Sequence, residues 1–264
     1  MRADPRHLAL LAVRGLERLG LKSAAKRALR RWSGAGVPTV TPRIVRTLPH
    51  DPKAFTQGLL FRDGRLWEST GLVGSSSLRC LDPEDGHVVR QVDVEGVWGE
   101  GIATRGDLLV QLTYTSGFAT VYSYPGLRKL GELPYEGEGW GLTTMDGMYV
   151  MSDGSDVLRV RDADFRVVRE LPVRLGNRPL TGLNDLEYTN GSLYVNVLFD
   201  SDIFEVCPMT GSVRRVVDAT GIVRRSRRRG RDEVLNGIAF AEPSGTFYLT
   251  GKRWRYLFEV EIQS

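Results

Sequence analysis

From Ile44 onward, short apolar and often aromatic stretches recur behind a turn glycine. They read Gly64-Arg65-Leu66-Trp67, Gly106-Asp107-Leu108-Leu109, Gly147-Met148-Tyr149-Val150, Gly191-Ser192-Leu193-Tyr194 and Gly245-Thr246-Phe247-Tyr248, at intervals of 42, 41, 44 and 54 residues. This is the period of a four-stranded propeller blade, so five copies predict five blades. In the first repeat, Gly58 to Arg62 and Leu66 to Thr70 flank Asp63-Gly64, while Ser77 to Leu81 and His87 to Val92 flank Asp85-Gly86. Asp-Gly between such stretches signals a tight hairpin, because both central positions of the turn require a positive φ. Asn190-Gly191 marks the matching first turn of blade four, and Pro125-Gly126 and Thr210-Gly211 mark second turns in blades two and four.

The fifth repeat contains only three strands and ends at Leu257 to Ile262. Ile44 to Leu48 is the strand-like segment left over, and pairing it with Leu257 to Ile262 closes the ring without open edges between first and last blades. The fold class expected is all-β, a five-bladed β-propeller of four-stranded blades over residues 43–264. Residues 1–32 differ in character. Leu8, Leu11, Leu16 and Leu19 recur at near-helical spacing among nine Lys or Arg and two acidic residues, which describes a basic amphipathic helix. Its apolar stretch, Leu8 to Val13, is cut short by Arg14 and no clear cleavage site follows, so it is expected to be retained and not removed as a secretory signal. It packs on the propeller or stays partly disordered in this reading, with contact to a membrane surface as the functional alternative. Residues 33–42, rich in Gly, Pro and Thr, read as a linker. A cytoplasmic or peripheral location and a monomeric state are expected.

Composition changes this picture little. A chain of 264 residues with 41% hydrophobic residues suits one large all-β domain. The net charge of +4 is concentrated in residues 1–32 and in the run Arg224 to Arg231. No base-stacking aromatics are interleaved with that run, so it reads as a solvated loop, and no nucleic-acid partner is expected. No stretch reaches the roughly 18 to 20 apolar residues of a membrane span. Cys80 and Cys207 read as packed thiols, and with only His7, His50 and His87 a histidine-rich metal site is not expected.

A second repeated position lies six to nine residues before each turn glycine, where the innermost strand of a blade begins. It reads Gln57-Gly58-Leu59, Glu100-Gly101-Ile102, Trp140-Gly141-Leu142, Asn184-Asp185-Leu186 and Asn236-Gly237-Ile238. Equivalent positions of a closed ring face one axis, so Gln57, Glu100, Trp140, Asn184 and Asn236 are expected at one mouth of the channel, where they form a small-molecule pocket. Thr70, Tyr114, Asp153, Leu198 and Lys252 supply a second ring, in which Asp153 and Lys252 reach the pocket or pair with each other. Asn236 is read as a structural tie. Glu100, flanked by Trp98 and glycines, is read as functional, because partial desolvation raises a carboxyl pKa into a useful range.

These same residues carry a resemblance. Pro49-His50-Asp51-Pro52 leading into Ala54-Phe55-Thr56-Gln57-Gly58-Leu59, then Glu68-Ser69-Thr70-Gly71, Gly99-Glu100-Gly101-Ile102, Gly139-Trp140-Gly141-Leu142, Leu183-Asn184-Asp185-Leu186, Leu235-Asn236-Gly237-Ile238 and Thr250-Gly251-Lys252 resemble the glutaminyl-peptide cyclotransferases of the plant and bacterial type. The resemblance spans residues 44 to 262. It implies conversion of an N-terminal glutamine to pyroglutamate with release of ammonia, no cofactor and no catalytic metal, and a peptide or protein with N-terminal glutamine as partner. It also implies active-site roles for Phe55, Gln57, Glu100, Trp140, Asn184 and Lys252. Trp98, Tyr114 and Leu198 depart from the family pattern, in which a phenylalanine, a tryptophan and a tryptophan are usual. In this chemistry Glu100 shuttles the proton, Gln57, Asn184 or Lys252 holds the oxyanion, and Phe55, Trp98, Tyr114 and Trp140 wall the pocket. A cyclase for a different substrate, a calcium-dependent propeller hydrolase and a non-catalytic binding propeller are the alternatives.

Overall fold

The structure, a computed structural model, describes residues 36–227 and 230–263. Residues 1–32, read as an amphipathic helix, lie outside the described residues.

Five sheets, each with four antiparallel strands and one of them extended by a short fifth strand, stand around one axis. Blade one runs Thr56–Arg62, Arg65–Thr70, Ser77–Leu81 and Val88–Asp93 from the axis outward, joined through the predicted Asp63-Gly64 and Asp85-Gly86 turns. Asp63 and Gly64 both carry positive φ, as a tight hairpin turn requires. The innermost strands of the other blades are Gly99–Arg105, Leu142–Met145, Leu183–Thr189 and Leu235–Ala241, and each packs on its neighbours in sequence order until the fifth returns to the first. The ring closes as the pattern requires: Arg43–Pro49 pairs antiparallel with Tyr256–Glu261, and Ile44 lies opposite Val260.

Hydrophobic burial lies between blades, not at the axis. Leu60, Leu78 and Trp67 of blade one pack with Ile102 and Leu109 of blade two, and a like cluster, such as Val150 and Leu158 with Val195 and Phe204, occupies each further interface. Each fully buried Leu or Phe contributes about 1.5–3 kcal/mol. Because these wedges carry the stability, the axis is left for polar groups.

The innermost strands approach so closely that side chains are excluded at one position. A Cβ on Gly101 would lie 2.7 Å from the Trp140 carbonyl oxygen, and one on Gly141 would overlap the backbone of Asn184. Glycine is the residue that permits this approach. Blade four carries Asp185 instead, and its Oδ2 accepts the N–H of Leu59 in blade one at 3.3 Å and of Ile238 in blade five at 3.0 Å.

A buried ionic network joins the closure to blade one. His50 Nδ1 contacts the Trp254 carbonyl at 2.9 Å and Nε2 contacts Glu68 Oε1 at 2.9 Å, while Thr56 Oγ1 donates to the same oxygen at 2.6 Å. The partnership raises the His50 pKa and lowers that of Glu68, against the burial that opposes both charges. Asn236 Nδ2 donates to the carbonyls of Thr56 and Gln57, each at 3.1 Å, a tie between blades five and one. Asn236→Ala would leave both buried carbonyls unpaired, and is expected to cost about 1–3 kcal/mol of stability in a denaturant titration. An unchanged midpoint would refute the tie.

Three elements were not legible in the repeat, one of them the small hairpin of Arg174–Leu175 with Arg178–Pro179. Thr39–Val40, within the stretch read as a linker, pairs in parallel with Val216 and Val217 on the outer edge of blade four. The long interval between blades four and five holds a short helix, Thr220–Arg225, which buries Ile222 and Val223. Arg224 and Arg225 therefore form its exposed last turn instead of beginning a loop.

Candidate active site

Bulges in the innermost strands turn the axial residues out of their ladders. Pairing slips between Thr56 and Gly58, Gly99 and Ile102, Leu183 and Leu186, and Leu235 and Ile238. The skipped residues include Gln57, Glu100, Asn184 and Asn236. A bulge places two residues against one and re-aims a side chain, which here frees four polar groups from sheet packing. In blade three Trp140 precedes the strand, and its carbonyl accepts the Gly101 N–H at 2.7 Å.

At the centre of this ring, Gln57 Nε2 donates to Glu100 Oε1 at 2.8 Å. Both residues are buried, as are Asn184 and Lys252. Burial pushes the Glu100 carboxyl well above its usual range, Lys252 opposes that rise, and the nearby Glu138 and Asp185 add to it. The Trp98 indole beside Glu100 favours its ionised form slightly, but the N–H makes no hydrogen bond of normal geometry. Burial lowers the pKa of Lys252, against the attraction of Glu100 and Asp185. The Lys252 ammonium sits 5.0 Å from the centroid of the Phe55 ring.

Aromatic rings continue the wall outward. Phe55 meets Trp98 edge-on at 5.8 Å between centroids, and Trp98 meets Tyr114 at 6.0 Å. Glu138 completes the arc, accepting the Tyr114 hydroxyl at 3.2 Å on Oε1 and the Trp140 indole N–H at 2.9 Å on Oε2. Trp98, Tyr114 and Trp140 are half-buried, so the wall opens to solvent while the polar groups at its floor do not. Buried polar atoms without a partner concentrate here: Gln57 Oε1, Trp98 Nε1, Asn184 Oδ1, Asp185 Oδ1, Asn196 Nδ2 and Asn236 Oδ1. Such atoms are rare in a settled core, where each costs about 1–3 kcal/mol, and a site that binds a polar ligand is where they are expected.

The second ring is only partly assembled. Lys252 reaches the pocket floor. Asp153 does not pair with Lys252, because the guanidinium of Arg159 and the hydroxyl of Ser155 engage its carboxylate instead. Thr70 is spent on Ser77. Leu198 follows the strand Ser192–Val197 and is tied by its backbone N–H to the Gly182 carbonyl.

Two acidic residues of the site were missed by the sequence reading. Asp185 lies fully buried at the axis, and burial raises its pKa to about 8 against three backbone N–H bonds. Its signal was present, since it is the charged residue where the other four repeats have glycine. Glu138 gave no signal, because it stands two residues outside the repeated position. Among the described residues no group of three or more His, Cys, Asp or Glu is placed to hold a metal ion.

Residues 16–262 match the family described as glutamine cyclotransferase. Over 227 residues the chain is 34% identical to a glutaminyl-peptide cyclotransferase of Arabidopsis thaliana, covering 83% of this chain and 71% of that protein. The crystal structure of a glutaminyl cyclase from Myxococcus xanthus superposes with a TM-score of 0.81 at 37% identity, covering 85% of this chain and 97% of that one.

Proposed function

The chain belongs to the glutamine cyclotransferase family and is an enzyme of the glutaminyl cyclase type, and on that premise we propose that it cyclises the N-terminal glutamine of peptides without a catalytic metal, using Glu100 to carry the proton. The observation that carries this reading is the pattern of unpartnered atoms at the pocket floor. The γ-carboxamide of glutamine presents one carbonyl acceptor and two N–H donors. The unpartnered buried atoms at the site include donors, Trp98 Nε1 among them, and acceptors, Gln57 Oε1 and Asn184 Oδ1 among them, so both kinds of carboxamide hydrogen bond can be met.

In the reaction, the substrate α-amine nitrogen forms a bond to the carboxamide carbon. The carbon-to-nitrogen bond of the carboxamide breaks, and ammonia leaves. One proton must pass from the attacking nitrogen to the departing one. Ionised Glu100 accepts it and then returns it, a role suited by a carboxyl whose basicity burial has raised well above the usual carboxylate range. Negative charge gathers on the carboxamide oxygen in the tetrahedral intermediate. The Lys252 ammonium and the Trp98 N–H are the nearby groups that can stabilise it. The hydrogen bond from Gln57 fixes the orientation of the Glu100 carboxyl before substrate arrives. Phe55, Trp98, Tyr114 and Trp140 exclude water from the folded-back side chain, so hydrolysis does not compete.

The test is mass spectrometry of peptides beginning with glutamine, incubated with protein dialysed against a chelator. Loss of one ammonia per peptide at the rate of the undialysed enzyme is expected. Activity that disappears on chelation and returns with calcium would overturn the metal-free mechanism, and no turnover before or after would overturn the substrate assignment.

A further inference from the structure

We propose that Glu138 reads the residue that follows the substrate glutamine and favours a cationic side chain there; this rests on the cyclase reading and specifies its substrate class. If the reacting amine and carboxamide occupy the floor formed by Glu100, Gln57, Asn184 and Lys252, the rest of the peptide must leave along the half-buried wall. Glu138 stands on that wall. Its two oxygens each accept one hydrogen bond, from the Tyr114 hydroxyl at 3.2 Å and the Trp140 indole at 2.9 Å. Both donors are neutral, so neither cancels its charge.

Two other carboxylates are neutralised by arginines. Asp153 is paired with Arg159, and Asp232 lies 3.3 Å from Arg253, whose guanidinium also sits over the Phe55 ring. Glu138 has no ion-pair partner among the described residues, and Glu136, exposed two positions earlier, is likewise unpaired. Lys252 is buried at the floor and its charge faces Glu100 and Asp185. A carboxylate held rigidly by two aromatic walls, half-desolvated and uncompensated, attracts a Lys or Arg side chain and repels Asp or Glu. A single carboxylate thus bridges Tyr114 and Trp140 and supplies the charge.

The test measures kcat/KM at one pH for three otherwise identical peptides beginning Gln-Lys, Gln-Ala and Gln-Glu. At low ionic strength the wild type is expected to favour Gln-Lys over Gln-Glu by about three- to tenfold, as for a partly screened pair of charges, and to lose most of that ratio in about 1 M salt. Glu138→Gln keeps an acceptor for Trp140 and a donor for the Tyr114 oxygen but removes the charge, so the ratio is expected to fall to about one. Tyr114→Phe loosens the wall and keeps the charge, so the ratio is expected to persist whatever happens to the rate. A wild-type ratio near one, or an E138Q ratio equal to that of the wild type, would overturn the proposal. Parallel losses for all three peptides in E138Q would do the same, since they would mark a purely structural carboxylate. If the wild type cyclises none of the peptides, the cyclase reading fails separately, and binding of the same three peptides by calorimetry then decides the charge preference in the same terms.

Discussion

Glu100→Gln is expected to lower the rate of glutamine cyclisation by roughly 10²- to 10⁴-fold while the protein remains folded. The substitution preserves volume and leaves an amide oxygen to accept the Gln57 N–H, now 2.8 Å from Glu100 Oε1. It removes the group that can take a proton from the attacking amine. It also removes a buried carboxyl whose ionised form is disfavoured by burial, so stability should not fall at neutral pH. The wild-type pH profile carries the complementary signature. Glu100 works as a base only when ionised, and its pKa lies well above the ordinary carboxylate range, so kcat/KM should rise with pH through a limb displaced upward from that range. The limb belongs jointly to Glu100 and its coupled neighbours Asp185, whose pKa is raised to about 8, and Lys252. An E100Q protein that melts like the wild type and cyclises at a near wild-type rate would remove Glu100 from the mechanism.

Removal of residues 1–48 is expected to abolish the folded state, whereas removal of residues 1–32 is expected to leave a cooperatively melting domain. The larger deletion strips the strand Arg43–Pro49 to its last residue and with it the ladder to Tyr256–Glu261. It exposes the core cluster into which Leu48 packs and leaves buried Glu259 without the Arg46 guanidinium, 2.5 Å away. Burial of one such leucine contributes about 1.5–3 kcal/mol. A buried charge stripped of its partner costs about 3–5 kcal/mol, and each lost ladder bond about 0.5–1.5 kcal/mol. Together these rival the entire stability of a typical domain, about 5–15 kcal/mol. Thermal melts followed by circular dichroism on both truncations decide the matter. Cooperative melting of the 48-residue truncation within a few degrees of the full chain would show that ring closure is not what holds the blades together.

Blade number, hairpin positions and ring closure were legible along the chain because each rests on local chemistry. Asp63-Gly64 and Asn190-Gly191 fix turns through their own backbone preferences, the period follows from one blade's worth of strands, and a three-stranded last repeat leaves Ile44 to Leu48 as its complement. Gln57, Glu100, Trp140 and Asn184 were likewise found together, since repetition in a closed ring converts equivalent positions into spatial neighbours. Which atoms of these neighbours bond to one another was decided only by the tertiary structure. Asp185 meets the Leu59 N–H across 126 residues of sequence, and Asn236 meets the Gln57 carbonyl across 179. No periodicity encodes such pairs. The same holds for Glu138, which bonds Tyr114 from 24 residues away, and for Asp153, whose carboxylate Arg159 engages. What a residue offers chemically is written in its side chain; whether that offer is taken by substrate or by a neighbour depends on packing between blades, where burial removes water and leaves each polar atom to the partner that geometry allows.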